Sequence, residues 1–441
     1  MTTGKIGGYE FYRNVLGSPK YIVAPMVDQS ELAWRVLSRR YGAQLVYTPM
    51  INAKMFADDT HRSTWNKNFD MESGEEGDPT TDRPLIVQFC ANDPEKLLIS
   101  AKAVEAHCDA VDINLGCPQD IAKKGKYGAF LQDDWDLIYK LINVLHTNLS
   151  IPVTAKFRVF PTVEKTVEYA KMLERAGAQI LTCHGRIREQ RGHLSGLADW
   201  DKIRAVKDAV SVPVFANGNI LYPSDIAKCL KATGADGVMS AEGQLYNPAL
   251  FANVPIEVEE LTNDKLLEQH VLHVDLALEY LSIVQSLKTH TSISAIKGHL
   301  FKILRPGLSH DKDLREKLGR TLVKKDQDWR NGGLQPYIDV CLELKERMEA
   351  NAKEASGKDS GALVKLDEST GLRVLPHWLA QPYFRPLREV VTKNVAKSLE
   401  GIPAKRQRPE TEGNTEDESK RLKLDTQSVE ALPVAVKLVS L

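Results

Sequence analysis

At 441 residues the chain exceeds one average domain, yet an α/β barrel occupies about 250 residues as a single unit, so one barrel plus a smaller module is the natural division. A hydrophobic share of 42% and a charged share of 27% are those of an ordinary globular protein. A formal net charge of -1 and a pI near 6.8 exclude a uniformly basic nucleic-acid binder and confine any such surface to a local patch.

The six cysteines, Cys90, Cys108, Cys117, Cys183, Cys229 and Cys341, are scattered without a C-x-x-C pair, so neither a zinc site nor a dithiol redox motif is expected. The first residues, Met1-Thr-Thr-Gly-Lys-Ile-Gly-Gly8, lack the apolar core of a signal peptide, and no later run reaches the roughly 18 apolar residues of a membrane span. A reduced compartment, cytosol or nucleus, and no membrane association are therefore expected, and nothing in the pattern demands more than a monomer.

From residue 21 to 243 short apolar runs alternate with longer amphipathic ones, the pattern of repeated β-α units on a parallel sheet. Eight strands are predicted, at 21–26, 45–50, 85–89, 110–115, 153–158, 180–184, 214–217 and 237–241. Parallel strands covered on both faces read as near-continuous hydrophobic runs, and most of these do. Helices are signalled between them. Asp93-Pro94-Glu95 pairs an N-cap with proline in the first turn, and residues 163–176 stop at Gly177. Eight such units close more naturally into a (β/α)8 barrel of the TIM type than into an open sheet. Residues 70–82, rich in Glu, Gly, Asp and Thr, read as a surface insertion before the third strand.

Beyond Pro248 the pattern changes to helix-period runs, such as 270–287 and 291–304, with no strand signal. The predicted division is a barrel over 1–255, a helical domain over 256–350 and a polar, largely disordered extension over 351–441. Lysines and arginines from Lys288 to Arg330, among them Lys297, Lys302, Arg305, Lys324 and Lys325, outnumber the acids between them. They form either a solvated helix face or a polyanion-binding patch. In the extension, residues 375–385 read as a short possible module, and residues 400–430 carry too few apolar groups to bury. The clusters Lys405-Arg406-Gln-Arg408 and Lys420-Arg421-Leu-Lys423 have the form of nuclear signals.

If the barrel closes, the carboxyl ends of its strands share one mouth. That mouth would hold Pro25-Met26, Gln88, Asn114 with Cys117, Lys156 with Arg158, His184-Gly185-Arg186, Asn217-Gly218-Asn219 and Ala241-Glu242-Gly243. Each alone has an ordinary structural reading: a snorkelling lysine, a hydrogen-bonded core histidine, a turn. Their recurrence at equivalent strand ends points instead to a site. The glycines after the seventh and eighth strands suit a phosphate held by backbone N-H groups. Lys156 could place positive charge against an electron-rich ring and Gln88 could bond its edge, roles that suit flavin mononucleotide.

The segments Ala24-Pro-Met-Val-Asp-Gln-Ser30, Arg83-Pro-Leu-Ile-Val-Gln-Phe89, Asp112-Ile-Asn-Leu-Gly-Cys-Pro-Gln119, Lys156-Phe-Arg158, His184-Gly-Arg186 and Phe215-Ala-Asn-Gly-Asn-Ile220 closely resemble the tRNA-dihydrouridine synthases. The resemblance spans about residues 15–255 in order, and the helical domain is similar to the family's tRNA-binding domain. Leu115, Gln119 and Lys123-Lys-Gly-Lys-Tyr-Gly-Ala-Phe-Leu131 look most like the eukaryotic branch that acts on uridines 16 and 17 of the tRNA D-loop.

The resemblance implies FMN bound by Pro25, Met26, Val27, Gln88, Lys156, His184, Asn217, Gly218, Asn219, Ala241 and Glu242, with NADPH or NADH as reductant and tRNA as partner. It also implies hydride transfer to C6 of uracil and proton donation to C5 by Cys117. An ordinary thiol, with a pKa near ~8.5, is mostly protonated at neutral pH and suits a general acid. Glu242 departs from the arginine that bacterial relatives often carry, and it would repel a phosphate unless its side chain turns away. No G-x-G-x-x-G follows a strand, which fits a nicotinamide visiting the same mouth.

Two other classes remain open at this stage: another flavin barrel, such as a dihydroorotate dehydrogenase, and a non-catalytic RNA-binding protein. The basic helical patch generates a direct test. Charge reversal at Lys324 and Lys325 is expected to weaken tRNA binding, and to flatten its salt dependence, without loss of flavin. Unchanged affinity in a filter-binding titration would remove these two lysines from the RNA surface.

Overall fold

Nine short strands, all parallel, wind round one axis. They are β1 (Tyr21–Val23), β2 (Val46–Tyr47), β3 (Ile51–Asn52), β4 (Leu85–Cys90), β5 (Ala110–Leu115), β6 (Val153–Arg158), β7 (Leu181–His184), β8 (Val214–Asn217) and β9 (Gly237–Ser240). The path β1-β9-β8-β7-β6-β5-β4-β2 is continuous. The last gap is closed by a parallel bridge between Ile22 and Leu45, with Val23 N-H donating to the Leu45 carbonyl at 2.9 Å. This is the predicted (β/α)8 barrel with one amendment. The single second strand expected over 45–50 is broken into β2 and β3, because Pro49 has no N-H to give the ladder. Thr48 bridges the break: its N-H donates to the Ile86 carbonyl at 3.1 Å, and its Oγ1 accepts the Gln88 N-H at 3.1 Å.

Strand side chains alternate between the two faces of the ring. Val87 and Phe89 of β4, Val111, Ile113 and Leu115 of β5, and Val153, Ala155 and Phe157 of β6 point outward into the core shared with the helices. The alternate residues fill the axis in layers. Lowest are Ile22, Leu45, Ile86, Ala110, Ile180 and Phe215, plugged from beneath by Phe11 and Tyr12 of the N-terminal helix Gly8–Asn14. Further along stand Gln88, Asp112, Thr154 and Thr182, and two residues beyond the last three stand Asn114, Lys156 and His184, the last level with Asn217. The axis therefore grades from apolar at the amino ends to polar at the carboxyl ends.

Outer helices follow the local signals. Pro94–Val104 is capped by Asp93, whose side chain accepts from the Glu95 and Lys96 amides. Val163–Ala176 is capped by Thr162 and ends on Gly177 at φ 116°, a left-handed conformation that favours glycine.

The structure is a computed structural model that describes residues 5–58, 68–254, 262–323, 330 and 332–385, all within one compact unit. The expected boundary near 255, Lys324, Lys325 and both basic tail clusters lie outside these residues. The expected boundary near 350 falls within the helix Gln335–Glu354.

The helices His273–Ser286 and Ile293–Ile303 pack on the barrel's helix Leu32–Arg40. Glu31, at the N-cap of that helix, accepts from Tyr280 Oη at 2.6 Å and meets His299 Nε2 at 3.0 Å. Trp34 stacks on His299 with ring centres 3.9 Å apart. Part of the expected extension is also folded. A hairpin of Lys365–Asp367 and Leu372–Val374 leads into a segment that bridges Leu379 to Leu272, because Leu375, Leu379 and Ala380 find apolar cover that sequence periodicity does not reveal.

The predicted surface insertion is anchored more deeply than its composition suggests. Its Glu76 and Asp82 turn inward to Arg35, which is fully buried: Arg35 Nε and Nη2 donate to Asp82 at 2.9 and 2.7 Å, and Nη2 donates to Glu76 at 3.2 Å. Burial pushes Glu76 up to about 7 despite Arg35. Removing one partner of such a cluster strands buried charge. Arg35→Met is expected to lower the free energy of urea unfolding by about 3–5 kcal/mol, with recovery when Glu76→Gln and Asp82→Asn are added. A loss below ~1 kcal/mol would mean that the cluster is solvated.

Candidate active site

The upper polar layers are joined by hydrogen bonds running across the strands. Asp112 accepts from Thr154 Oγ1 at 2.6 Å and from Gln88 Nε2 at 2.8 Å. Gln88 Oε1 in turn accepts from Asn114 Nδ2 at 2.8 Å. Gln88 is completely buried, and these two bonds use one N-H and one lone pair of its amide. Asn114 Oδ1 then takes the Gly116 and Cys117 amides at 3.1 and 2.9 Å. A buried carboxylate thus fixes, through two amides, the turn that carries Cys117.

From the adjoining strand β6, Lys156 Nζ donates to Asn217 Oδ1 of β8 at 3.0 Å, and Asn217 Nδ2 donates to the Met239 carbonyl at 2.8 Å. Burial, with Arg158 adding repulsion, lowers Lys156 to about 8, so it stays largely cationic at neutral pH. Burial first, then Arg158, Lys156 and Arg186, push His184 well below its ordinary value, so His184 is neutral.

The half-buried Cys117 sits where β5 gives way to its loop. Arg158 Nε donates to the Gly116 carbonyl at 2.8 Å. The loop runs through the helix Asp120–Gly125 and returns over Cys117, where Ala129 N-H donates to the Cys117 carbonyl at 3.0 Å. Gly128, at φ 64°, makes this return possible, since a Cβ there would lie 2.8 Å from the Cys117 carbonyl oxygen and 3.1 Å from its Cβ. Around Cys117 pack Cys90, Tyr127, Met50 and Phe130. Burial pushes the neighbouring Cys90 up to about 12, which leaves Cys90 an inert thiol.

Beside this centre opens a cavity of about 520 Å³ at the ends of β7, β8 and β9. Of the predicted site residues, His184, Asn217, Gly218, Asn219, Ala241 and Glu242 line it. Cys117, Lys156, Gln88, Pro25, Met26 and Val27 stand outside its lining, although Lys156 reaches it through Asn217. Pro25 to Val27 form the loop after β1, tied by Met26 N-H to Ser30 Oγ at 3.0 Å, with Val27 47% exposed.

Gly218, at φ 115°, is required in the cavity wall, because a Cβ would strike Ala198 at 2.7 Å. Gly243 lets the next loop close in, since its Cβ would meet the Ile220 carbonyl at 2.1 Å. The Asn219 side chain serves the wall and not the cavity, accepting from Ala198 N-H at 3.0 Å and from Arg186 Nη2 at 2.8 Å.

Several lining residues escaped the sequence-based site assignment. Arg158 is placed at the mouth beside Lys156 by the sequence, but without a binding role. Tyr383 and Arg385 arrive from the far end of the chain, and no local signal reveals them. Arg385 pairs with Glu242, with Nε to Oε2 at 3.0 Å and Nη2 to Oε1. The Glu242 side chain is thereby held by a cation.

The helical layer's cations are partly engaged. Lys297 Nζ donates to the Gly319 carbonyl at 2.7 Å, Lys302 Nζ to Gln29 Oε1 at 2.6 Å and Arg330 Nη2 to the Leu287 carbonyl at 3.0 Å. Lys317 and Arg320 pair with Glu343 and Glu316. No helix among the described residues is long and apolar enough to cross a membrane.

An all-parallel barrel whose polar layers, cations and glycine-lined cavity gather at the carboxyl ends defines a (β/α)8-barrel enzyme with a mouth suited to an anion. The sequence model described as Dihydrouridine synthase (Dus) matches residues 22–335. The tRNA-dihydrouridine(16/17) synthase of Schizosaccharomyces pombe is 46% identical over 400 residues, covering 89% of this chain and 94% of the relative. Its Saccharomyces cerevisiae counterpart is 47% identical over 403 residues, 90% of each. A tRNA-dihydrouridine(20a/20b) synthase-like protein of Homo sapiens is 36% identical over 234 residues, 52% of this chain and 70% of the relative. The chain belongs to the dihydrouridine synthase family.

The buried network makes a pH prediction. Burial, opposed by the Thr154 and Gln88 bonds and by Lys156, raises Asp112 to about 6, against roughly 3.9 in an unfolded chain. Between these values the folded chain keeps a proton that the unfolded chain has lost. This contribution to stability is full below about pH 4 and falls as the pH rises to about 6, by on the order of 3 kcal/mol. Asp112→Asn is expected to flatten that limb of the unfolding free energy against pH, and an unchanged slope would place the titration elsewhere.

Proposed function

We propose that this protein reduces uridine to 5,6-dihydrouridine in the D-loop of tRNA, at positions 16 and 17, using flavin mononucleotide held in the barrel mouth and NAD(P)H as reductant. The observation that carries this reading is the near full-length match to relatives named for that activity and for NAD(P). The barrel serves as the catalytic part and the helical layer as the part that grips RNA.

The mouth fits a flavin nucleotide. Glycines at 218 and 243 bring two backbone turns close together where side chains would collide, a cradle suited to phosphate. Arg158 and Arg186 supply positive charge on the same wall, and Lys156 offers a largely protonated amine at the floor. Pro25, Met26 and Val27 supply the apolar loop on the adjoining rim, after β1, which pairs with β9. When bound and reduced, the flavin supplies hydride to C6 of the uracil.

The chain's own residues perform the remainder. Asp112, Gln88 and Asn114 fix the turn that bears Cys117. Cys117 holds a proton on Sγ for delivery to C5, and Arg158 locks the Gly116 carbonyl so that the thiol cannot swing away. Tyr127 and Phe130 of the returning loop shield the thiol from water. The substrate base has to leave its stack to reach this depth, at a cost of about a few kcal/mol in an unpaired loop.

Cys117→Ala is expected to keep flavin absorbance and tRNA binding while dihydrouridine formation falls about 10²–10⁴-fold. Unaltered turnover in a single-turnover assay would remove Cys117 as the acid.

A further inference from the structure

The cavity wall carries four arginines and a single carboxylate among its described residues. Among its described lining residues Arg158, Arg186, Arg191 and Arg385 are the fixed cations and Glu242 is the one acid. Glu242 opens the short helix Glu242–Tyr246, beside the glycine turn that approaches Ile220. An uncompensated carboxylate there would oppose any phosphate that the turns after β8 and β9 receive.

Arg385 removes that charge by gripping both Glu242 oxygens, the two-pronged geometry that guanidinium offers a carboxylate. The two residues are 143 positions apart, so the pairing is imposed by the fold. His273 N-H donates to the Trp378 carbonyl at 3.2 Å and Ala380 N-H to the Val271 carbonyl at 2.9 Å. Tyr222 Oη donates to the Arg373 carbonyl at 2.6 Å. Tyr383 then stacks on Tyr246 at 5.4 Å, with the Arg305 guanidinium 3.8 Å above its ring and that of Arg385 at 4.9 Å. These contacts bring the segment to the cavity rim independently of Glu242.

We infer that Arg385 is a positioning residue for the cofactor's phosphate: by neutralising Glu242 it opens the cavity to the anion, so that the C-terminal segment completes the binding site of the barrel. The inference rests on the flavin mononucleotide reading above. It makes phosphate binding conditional on residues 370–385 being docked, since their removal would leave Glu242 facing the anion.

FMN and riboflavin differ in the phosphate alone, and titrating each into flavin-stripped full-length protein, followed by flavin fluorescence, separates charge from packing. Arg385→Ala is expected to weaken FMN roughly tenfold while leaving riboflavin unchanged. Arg385→Lys should retain most of the FMN affinity, and Arg385→Ala combined with Glu242→Gln should recover it. Equal weakening of FMN and riboflavin would reduce the segment to a packing element and overturn the inference. So would a double variant no better than Arg385→Ala. Either result leaves the flavin reading standing, whereas unaltered protein that binds neither FMN nor riboflavin would overturn that reading and this inference together.

Discussion

The hydrogen bonds that join β1 to β9 on one side and to Leu45 on the other turn an open parallel sheet into a ring. Everything functional follows from that closure. A parallel ring points all its carboxyl ends one way, so residues as far apart in sequence as Pro25 and Glu242 meet at one mouth. The two-residue alternation then sorts them by depth. The apolar residues of the inward rows fill the amino end, and Asp112, Thr154, Lys156 and Asn217 fall two or four residues later, towards the mouth.

Within that mouth the electrostatics divide the work. Asp112 is buried among hydrogen-bond donors and anchors one side of the axis. Lys156, on the adjoining strand β6, is lowered by burial yet still largely charged at neutral pH. The glycine-lined cavity continues from Asn217 towards Glu242 and the arginines. The thiol of Cys117 stands apart from the cavity lining, so the two occupy separate places in the mouth. The helical layer is bound to the barrel through Glu31, Trp34, Tyr280 and His299, which fixes it relative to the mouth.

Much of the barrel was legible because fully covered parallel strands announce themselves as apolar runs. Residues 110–115, 153–158 and 214–217 were read with the bounds that the strands have. The second strand was misread as continuous because its run stays apolar through Pro49, and only the pairing partner reveals the break. Cys117 and the glycine turns were legible from their position at strand ends. Arg35 was not, because a single arginine in an amphipathic helix looks solvated until Glu76 and Asp82 are seen to turn inward. Nor was Arg385, whose meaning depends on a carboxylate 143 residues away. Periodicity records which face of an element is buried, and it carries no record of which distant charge waits there.

The central claim is chemical and can be tested without altering the protein. Purified chain, supplied with FMN and NADPH, would be incubated with tRNA transcribed without modification, and the product mapped by nuclease digestion and mass spectrometry. The account predicts a gain of two hydrogens at uridines 16 and 17, dependent on NAD(P)H. Transcripts recovered unchanged, or reduced only at other positions, would contradict it.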